Sequence, residues 1–408
     1  MRDNVLERRR YGVGAALLLA ATVLLLLPPA AGAASRYVVL GANDLGMHCY
    51  QRGYGGFMIL PPANTLKIQV FRKGAEGATL VRRGIKVQFR VVNNTYSVGK
   101  TDFWAYAADY GFPVAKNVGI TGTRLKGTMK LSKDGKYWVA EYIPVTPYND
   151  RLVFNPLQVA FVTVRSKTTG KIVATQPKIV LPVSDEMRCD LCHGPADTAQ
   201  NILQAHDTNS GTHLVADLTA GSRHACSECH KDNVLGAPGT PTTQPLSQAM
   251  HGWHADKMLP AAPLITPCYA CHPGANTRCL RGAMAQVGLT CTSAGCHGSM
   301  AEVADSQGAP TNREAWLQEP KCGGCHGAKY AENAATLYRN SYLANGPEGM
   351  NGKIMCESCH GSPHAEWPSL KGVDNALPLR VQGLATFIKK CTACHGGESG
   401  GIHGNTGG

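Results

Sequence analysis

Six copies of the pattern Cys-x-x-Cys-His, all beyond residue 188, constrain this chain more than any other feature of its sequence. Two thiols at this spacing can each form a thioether with one vinyl group of a haem, and the histidine that follows then lies under the ring and ligates the iron. The pattern therefore predicts covalently bound c-type haem. The six copies are Cys189/Cys192/His193, Cys226/Cys229/His230, Cys268/Cys271/His272, Cys322/Cys325/His326, Cys356/Cys359/His360 and Cys391/Cys394/His395.

A seventh site is predicted at Cys291, Cys296 and His297, where the cysteines are two residues further apart. Successive motif histidines are 25 to 42 residues apart when His297 is included, whereas without it the step from His272 to His326 is 54 residues. We therefore expect seven haems, each with one proximal histidine. The motifs are numbered 1 to 7 in chain order, so that the longer motif is motif 4.

Two other chemistries use paired cysteines. Structural zinc sites take four protein ligands, and they do not require a histidine directly after every second cysteine. A disulfide oxidoreductase needs one Cys-x-x-Cys pair rather than six. Haem attachment is the interpretation that explains the whole repeated pattern.

Residues 1–34 have the order of regions typical of a secretory signal peptide: four arginines, an apolar run over residues 12–27, and then proline and small residues. A membrane anchor is the alternative, but the run of about 16 residues is short for a span of ~20. We expect cleavage after Ala33 or Ala34 and export to the periplasm, the outer surface or the extracellular medium. No other segment predicts a transmembrane span in the mature chain.

The rest of the chain divides by composition near residue 185. Residues 35–185 contain one cysteine and one histidine, and residues 186–408 contain the other fifteen cysteines and fourteen histidines. In the first part, alternating apolar and polar residues predict about seven short strands, with hairpin turns at Asp134-Gly135 and over residues 167–170. We predict an all-β domain of sandwich type, roughly immunoglobulin-like.

The second part, residues 186–408, has little periodicity and few large aliphatic residues. We predict a mostly irregular haem domain with short helices, in which porphyrins take the place of an aliphatic core. The formal charge of +12 comes from scattered basic residues, so a nucleic-acid partner is not expected. The propionates of seven haems would offset most of that charge.

The distal ligand of each haem iron, opposite the motif histidine, distinguishes an electron carrier from a catalyst. A haem with two histidine ligands mainly moves electrons, whereas an open face can bind a small molecule. The strongest distal candidates are His364, four residues after a motif histidine, and the His251/His254 pair. All histidines outside the motifs are candidates: His48, His206, His213, His224, His251, His254, His364 and His403.

Two cysteines remain after the seven motifs, Cys49 and Cys279. An exported protein can carry disulfides, so one expectation is a bond between them that clamps the β domain onto the haem segment. Two separate thiols are the other. His48 precedes Cys49 and follows the small residue Gly46, which would allow a flat ring to approach, so His48 is a candidate ligand supplied by the β domain.

The chain resembles the extracellular multihaem c-type cytochromes of metal-reducing bacteria. The resemblance rests on the signal peptide, on Asn-Asp-Leu-Gly-Met-His-Cys at residues 43–49, and on Pro-Val-Ser-Asp-Glu-Met at residues 182–187 ahead of motif 1. It implies electron transfer from a donor in the cytoplasmic membrane toward partner cytochromes or an extracellular metal or mineral acceptor. Some members of the wider group polymerise into haem-lined filaments.

We therefore expect an electron-transfer protein, without catalytic residues, that carries electrons along a chain of bis-histidine haems. Two other classes stay open. One is a multihaem reductase of a small oxyanion or a metal ion. The other is the subunit of a haem-lined filament, in which copies of this chain would form a homopolymer; this class is compatible with electron transfer.

The intact mass of the mature protein should correspond to seven covalent haems on a chain that starts near Ala34 or Ser35. Cys291→Ala should remove one thioether of motif 4, because that thiol is one of its two anchors. A mass that corresponds to six haems, with the same count of six in the Cys291→Ala variant, would contradict haem attachment at motif 4.

Overall fold

The computed structural model describes residues 36–44, 46–74, 78–258, 267–274, 276–320, 322–326, 338–339 and 354–396. The predicted signal peptide and His403 lie outside them. The described residues from Arg36 onward belong to one compact unit. It consists of a β-rich N-terminal region followed by a region of short helices and turns, as the sequence predicts at this coarse level. No helix in the described ranges is long and apolar enough to cross a membrane.

Eleven strands and one short helix form the described β-rich region. The strands are β1 (Tyr37–Asn43), β2 (His48–Gln51), β3 (Phe57–Met58), β4 (Asn64–Lys73), β5 (Ala78–Leu80), β6 (Ile85–Val91), β7 (Lys126–Thr128), β8 (Lys130–Leu131), β9 (Trp138–Ile143), β10 (Leu157–Ser166) and β11 (Ile172–Met187), and helix α1 is Phe103–Tyr106.

Two five-stranded sheets account for ten of these strands. The first has the order β1-β4-β9-β8 with β5 beside β4, and the second has the order β2-β11-β10-β6-β7. All pairings are antiparallel except that of β2 with β11. The inward side chains of both sheets belong to one hydrophobic core. Alternation produces this burial: in β6, Ile85, Val87, Phe89 and Val91 are buried between more exposed neighbours.

The predicted hairpin at Asp134-Gly135 is present, with Lys130 opposite Val139. Residues 127–131, which precede this turn, do not form a single strand, because β7 pairs with β6 in the second sheet while β8 pairs with β9 in the first. Met129, between the two halves, is 2% exposed. Burial of this side chain accompanies the crossing of the chain from one sheet to the other.

Strand β11 connects the two regions. It continues to Met187, past the residue at which the sequence predicts a boundary, and Cys189 of motif 1 follows two residues later. Its last part pairs with β2, with Val183 opposite His48 and Ser184 opposite Cys49. The first motif therefore begins at the end of a strand that is hydrogen-bonded into the second sheet.

The second region is built from short helices joined by turns. Its helices are α2 (Asp190–His193), α3 (Thr198–Ser210), α4 (Leu214–Thr219), α5 (Leu246–His254), α6 (Ala283–Gln286), α7 (Met300–Asp305), α8 (Gly323–His326), α9 (Cys356–His360) and α10 (Ala376–Gln382), and its strands are β12 (His224–Ala225), β13 (Glu319–Pro320) and β14 (Tyr338–Arg339). Among its described residues, the buried large aliphatic side chains are few: Leu203, Val234, Leu246 and Leu377.

Leu181→Ala should lower the free energy of unfolding by about 2–5 kcal/mol, because this β11 side chain is fully buried and its loss leaves a cavity. Ile172→Ala, on the same strand but 52% exposed, is the matched control and should change it by less than about 0.5 kcal/mol. Urea unfolding followed by far-ultraviolet circular dichroism measures both. Equal effects of the two variants would contradict this packing of β11.

Candidate haem-binding site

Each motif is a tight turn that brings its two cysteines and its histidine together. The backbone N–H of the motif histidine donates a hydrogen bond to the carbonyl of the first cysteine. The N···O distances are 3.0 Å for His193, 3.0 Å for His230, 2.8 Å for His272, 3.1 Å for His297, 2.9 Å for His326 and 2.9 Å for His395. Motif 6 forms helix α9. Motif 4 thus closes with the same bond as the others despite its two extra residues, and all fourteen motif cysteines are unbridged.

Burial differs among the predicted thioether cysteines, and four of them are exposed. Cys229 of motif 2 is one of them, and its hydrogen bonds engage its backbone. Its N–H donates to Cys226 O at 3.3 Å, and its carbonyl accepts from Thr240 N at 2.8 Å. The turn thus fixes the position of Cys229 without covering its side chain, and its thioether stays a prediction. The four exposed cysteines are Cys192, Cys229, Cys322 and Cys325.

Four of the motif histidines face a second histidine. The ring centroids are 5.9–6.5 Å apart. A metal atom ~2 Å from a nitrogen of each ring, a typical metal–imidazole distance, separates two ring centres by about 6 Å. The four spacings therefore suit one iron between two imidazoles. The pairs are His193 with His254, His230 with His206, His272 with His251, and His297 with His364.

Helix α5 supplies two of these partners. His251 and His254 are three residues apart, so they project from neighbouring positions on one side of the helix. Nδ1 of His251 donates to Ser247 O at 2.7 Å, and Nδ1 of His254 donates to Met250 O at 2.8 Å. A carbonyl can only accept, so Nδ1 carries the proton and Nε2 keeps its lone pair for a metal.

The pair formed by His206 and His230 is held in the same way. His230 Nδ1 donates to Gln244 O at 2.8 Å. His206 Nδ1 lies 2.9 Å from Thr212 Oγ1, and that hydroxyl donates to Asp207 at 2.6 Å, so the hydroxyl oxygen accepts the His206 proton. These partners could not be predicted from the sequence, because which acceptor lies beside each ring depends on how the chain folds.

The pair formed by His297 and His364 lies next to the pair formed by His272 and His251. Burial is the main cause that lowers the pKa of His272 to about 4, and the nearby rings of His251, His297 and His364 lower that pKa further. Burial, with the charge of His364, likewise lowers the pKa of His297 to about 4. Both rings are neutral near pH 7, which is the form that binds a metal.

The motif histidines 326, 360 and 395 have different surroundings. His326 is exposed, and the ring of His360 stacks on Phe387 with centroids 5.5 Å apart. His395 is buried, and its Nδ1 has no hydrogen-bond partner among the described residues. The structure therefore pairs motifs 1 to 4, and the distal partners of motifs 5 to 7 stay predictions.

The other distal candidates have other neighbours. His48 Nε2 donates to Pro61 O at 3.0 Å, and its ring meets the edge of Trp316. His224 forms ion pairs with Asp217 at 3.2 Å and Glu228 at 2.8 Å. His213 is exposed. The metal-binding nitrogens of His48 and His224 are thus engaged elsewhere in this arrangement.

Thiols of different motifs come close enough for their charges to interact. These thiols belong to motifs 1 and 2, 1 and 3, 3 and 4, 4 and 5, and 6 and 7, and one pair, Cys291 and Cys268, is hydrogen-bonded. The thiols that influence each other's pKa are Cys226 and Cys189, Cys271 and both Cys189 and Cys192, Cys291 and Cys268, Cys296 and Cys325, and Cys359 and Cys394. His364 faces motif 4 but follows motif 6 by four residues, so it connects these two motifs.

The β-rich region holds several motifs directly. Gln69 of β4 is fully buried, and its Oε1 accepts bonds from Met355 N at 3.1 Å and Ser358 Oγ at 2.9 Å, which fixes motif 6. Lys73 Nζ donates to Thr392 O in motif 7 at 2.8 Å. The alternation of residues in β4 does not mark Gln69 as a functional residue, because Gln69 lies on the face of β4 opposite Leu66, Ile68 and Val70.

Motif 2 follows β12, which pairs in parallel with β3 of the β-rich region. Cys49 and Cys279 are free thiols in this structure. Burial and the nearby charge of Cys279 raise the pKa of Cys49 to about 12, so the two lie close together. Proximity is compatible with the predicted disulfide, which stays a prediction.

The residues present fit a haem. Two neighbouring imidazoles with a pair of unbridged cysteines beside one of them are the donor set of a haem, whose ring supplies four nitrogens itself. The paired histidines would hold the iron, and the cysteines would hold the vinyl groups.

No protein-family model, curated protein or solved structure matches this chain. Its function is therefore inferred from its own residues.

With haem attached at motif 3, His251→Ala should leave one iron without its distal ligand. We expect a high-spin signal for one haem in the electron paramagnetic resonance spectrum of the oxidised protein. Trp253→Leu is the control on the same helix, because that side chain is 49% exposed. A fully low-spin spectrum for a folded, fully haem-loaded His251→Ala variant would contradict the pairing with His272.

Proposed function

We propose that this chain is a multihaem c-type cytochrome that carries electrons along a row of closely spaced haems toward an extracytoplasmic acceptor. The observation that carries the proposal is the set of four facing imidazole pairs, each containing one motif histidine. Two strong axial ligands leave no position for a substrate, so such sites exchange electrons rather than transform small molecules.

Haem, when bound, supplies reversible one-electron chemistry at its iron. The cysteines of each motif fix the ring in place, and the imidazoles set the environment of the iron. The Nδ1 hydrogen bonds of His230, His251 and His254 hold ring orientation and increase the basicity of the ligating nitrogen. This chain would thus contribute ligation and orientation of the haem.

Neighbouring motifs would provide the route. Cys291 of motif 4 is hydrogen-bonded to Cys268 of motif 3, and a β-carbon at Gly295 of motif 4 would lie 3.4 Å from Cys325 Sγ of motif 5, which supports a row through motifs 3, 4 and 5. His364 lies beside His297 of motif 4 and follows motif 6 by four residues, so it connects these two motifs. Electrons would enter at one end of this row and leave at another. Helix α5 couples motifs 3 and 1, because His251 and His254 serve these two motifs.

We further propose that the two sheets form a sandwich-like domain that serves as the rigid support of the haem array. Export by the signal peptide would supply the compartment in which haem is attached. Partner cytochromes, or a metal or mineral acceptor outside the cell, are the proposed redox partners.

Carbon monoxide titration of the reduced, fully loaded protein tests the proposal. Each of the four histidine-paired haems should bind none, because both axial positions are occupied. Binding to more than three of the seven haems would contradict the pairing. If that binding accompanied turnover of nitrite, hydroxylamine or a metal ion, the reductase alternative would replace the carrier.

A further inference from the structure

We infer that the 43–49 segment of the β-rich region is a positioning device for His364, the distal histidine of motif 4. The inference rests on the proposed function. The sequence singles out this segment, and the proposed electron transfer gives it no role of its own. Its contacts converge on the loop of residues 361–366, which carries His364.

The closest contact is between two backbones. Gly46 has φ +71°, and a β-carbon there would lie 1.7 Å from the carbonyl oxygen of Pro363. Only glycine therefore allows this approach without displacing the loop. The residue whose carbonyl it meets directly precedes His364.

A polar contact holds the same loop one residue earlier. Asn43 donates to Ser362 Oγ twice, from its backbone N at 3.1 Å and from Nδ2 at 2.8 Å, and Nδ2 also donates to Val180 O at 3.1 Å. Asn43 and Ser362 are 4% and 8% exposed. Buried hydrogen bonds of this kind fix one geometry, because breaking them leaves polar groups without partners.

Arg281 closes the arrangement from the other side. Its side chain is fully buried against Asp374, with N···O distances of 2.8 and 3.1 Å, and Nη1 donates to Gly46 O at 3.0 Å. The backbone N–H groups of Arg281 and Gly282 both donate to His364 O at 2.7 Å. Arg281 thus connects Gly46 in the 43–49 segment to the backbone carbonyl of His364.

His364 itself needs such support. Its φ is +65°, a left-handed conformation that non-glycine residues keep only when their surroundings hold them there. Cys279 Sγ, close to Cys49 of the same segment, lies 4.0 Å from His364 Nδ1. The backbone carbonyl of His364 is therefore held by the N–H groups of Arg281 and Gly282, and its imidazole lies against the Cys279 thiol.

Gly46→Ala is the test. We expect the reduced variant to bind one more carbon monoxide per chain than the wild type, as His364→Ala should, because the new methyl group displaces the ligand loop. Gly84→Ala is the matched control, since Gly84 has φ +74° in the same region with no atom within 4 Å of the added carbon. It should bind the wild-type amount. The double variant Gly46→Ala/His364→Ala should gain one site, not two.

Haem stoichiometry and circular dichroism are measured on every variant. If His364→Ala gains one site while folded, fully loaded Gly46→Ala gains none, the positioning inference is overturned and the haem proposal stands. If wild-type protein holds no covalent haem, the proposed function itself fails. Should Gly46→Ala not accumulate, Ser362→Ala removes the acceptor of both Asn43 bonds and should increase carbon monoxide binding. Wild-type binding by that variant would equally overturn the inference.

Discussion

The proposed function of this molecule depends on four pairs of imidazole rings whose centroids lie 5.9–6.5 Å apart. In each pair one ring belongs to a Cys-x-x-Cys-His turn or its longer variant, and the other comes from a separate element, such as helix α5. Backbone carbonyls accept the Nδ1 protons of His230, His251 and His254, which leaves the lone pair of Nε2 free to bind a metal. Local turns supply half of each site, and the packing of distant elements supplies the other half.

The β-rich region provides the rigidity that such pairs require. Its sheets bury a continuous aliphatic core, whereas the described part of the second region buries few large aliphatic side chains. Strand β11 leads into motif 1, β3 pairs with the strand before motif 2, and Gln69 holds motif 6. Bound haem would compensate for the small number of buried aliphatic side chains in the second region, because a porphyrin offers a large apolar surface for burial.

Part of this structure could be predicted because it depends on local spacing. The alternation in β6, the turn at Asp134-Gly135 and the coarse order of a β-rich region before short helices follow from neighbouring residues. The motifs themselves are equally local, since their two thiols and histidine lie within one turn of backbone. The preference for His364 and for the His251/His254 pair rests on sequence proximity to motifs and on paired spacing.

The partners within each pair, however, were decided by tertiary structure. Nothing in the sequence assigns His251 to motif 3 and His254 to motif 1, because that depends on how α5 packs. The change of sheet at Met129 and the role of Gln69 likewise arise from contacts between distant segments. Cys229 is exposed because no described segment packs over its side chain. The sequence by itself determined which groups could bind a haem, because the spacing of cysteines and histidines along the chain is local. Only the fold decided which histidine rings lie next to each other, because long-range packing fixes the distance between them.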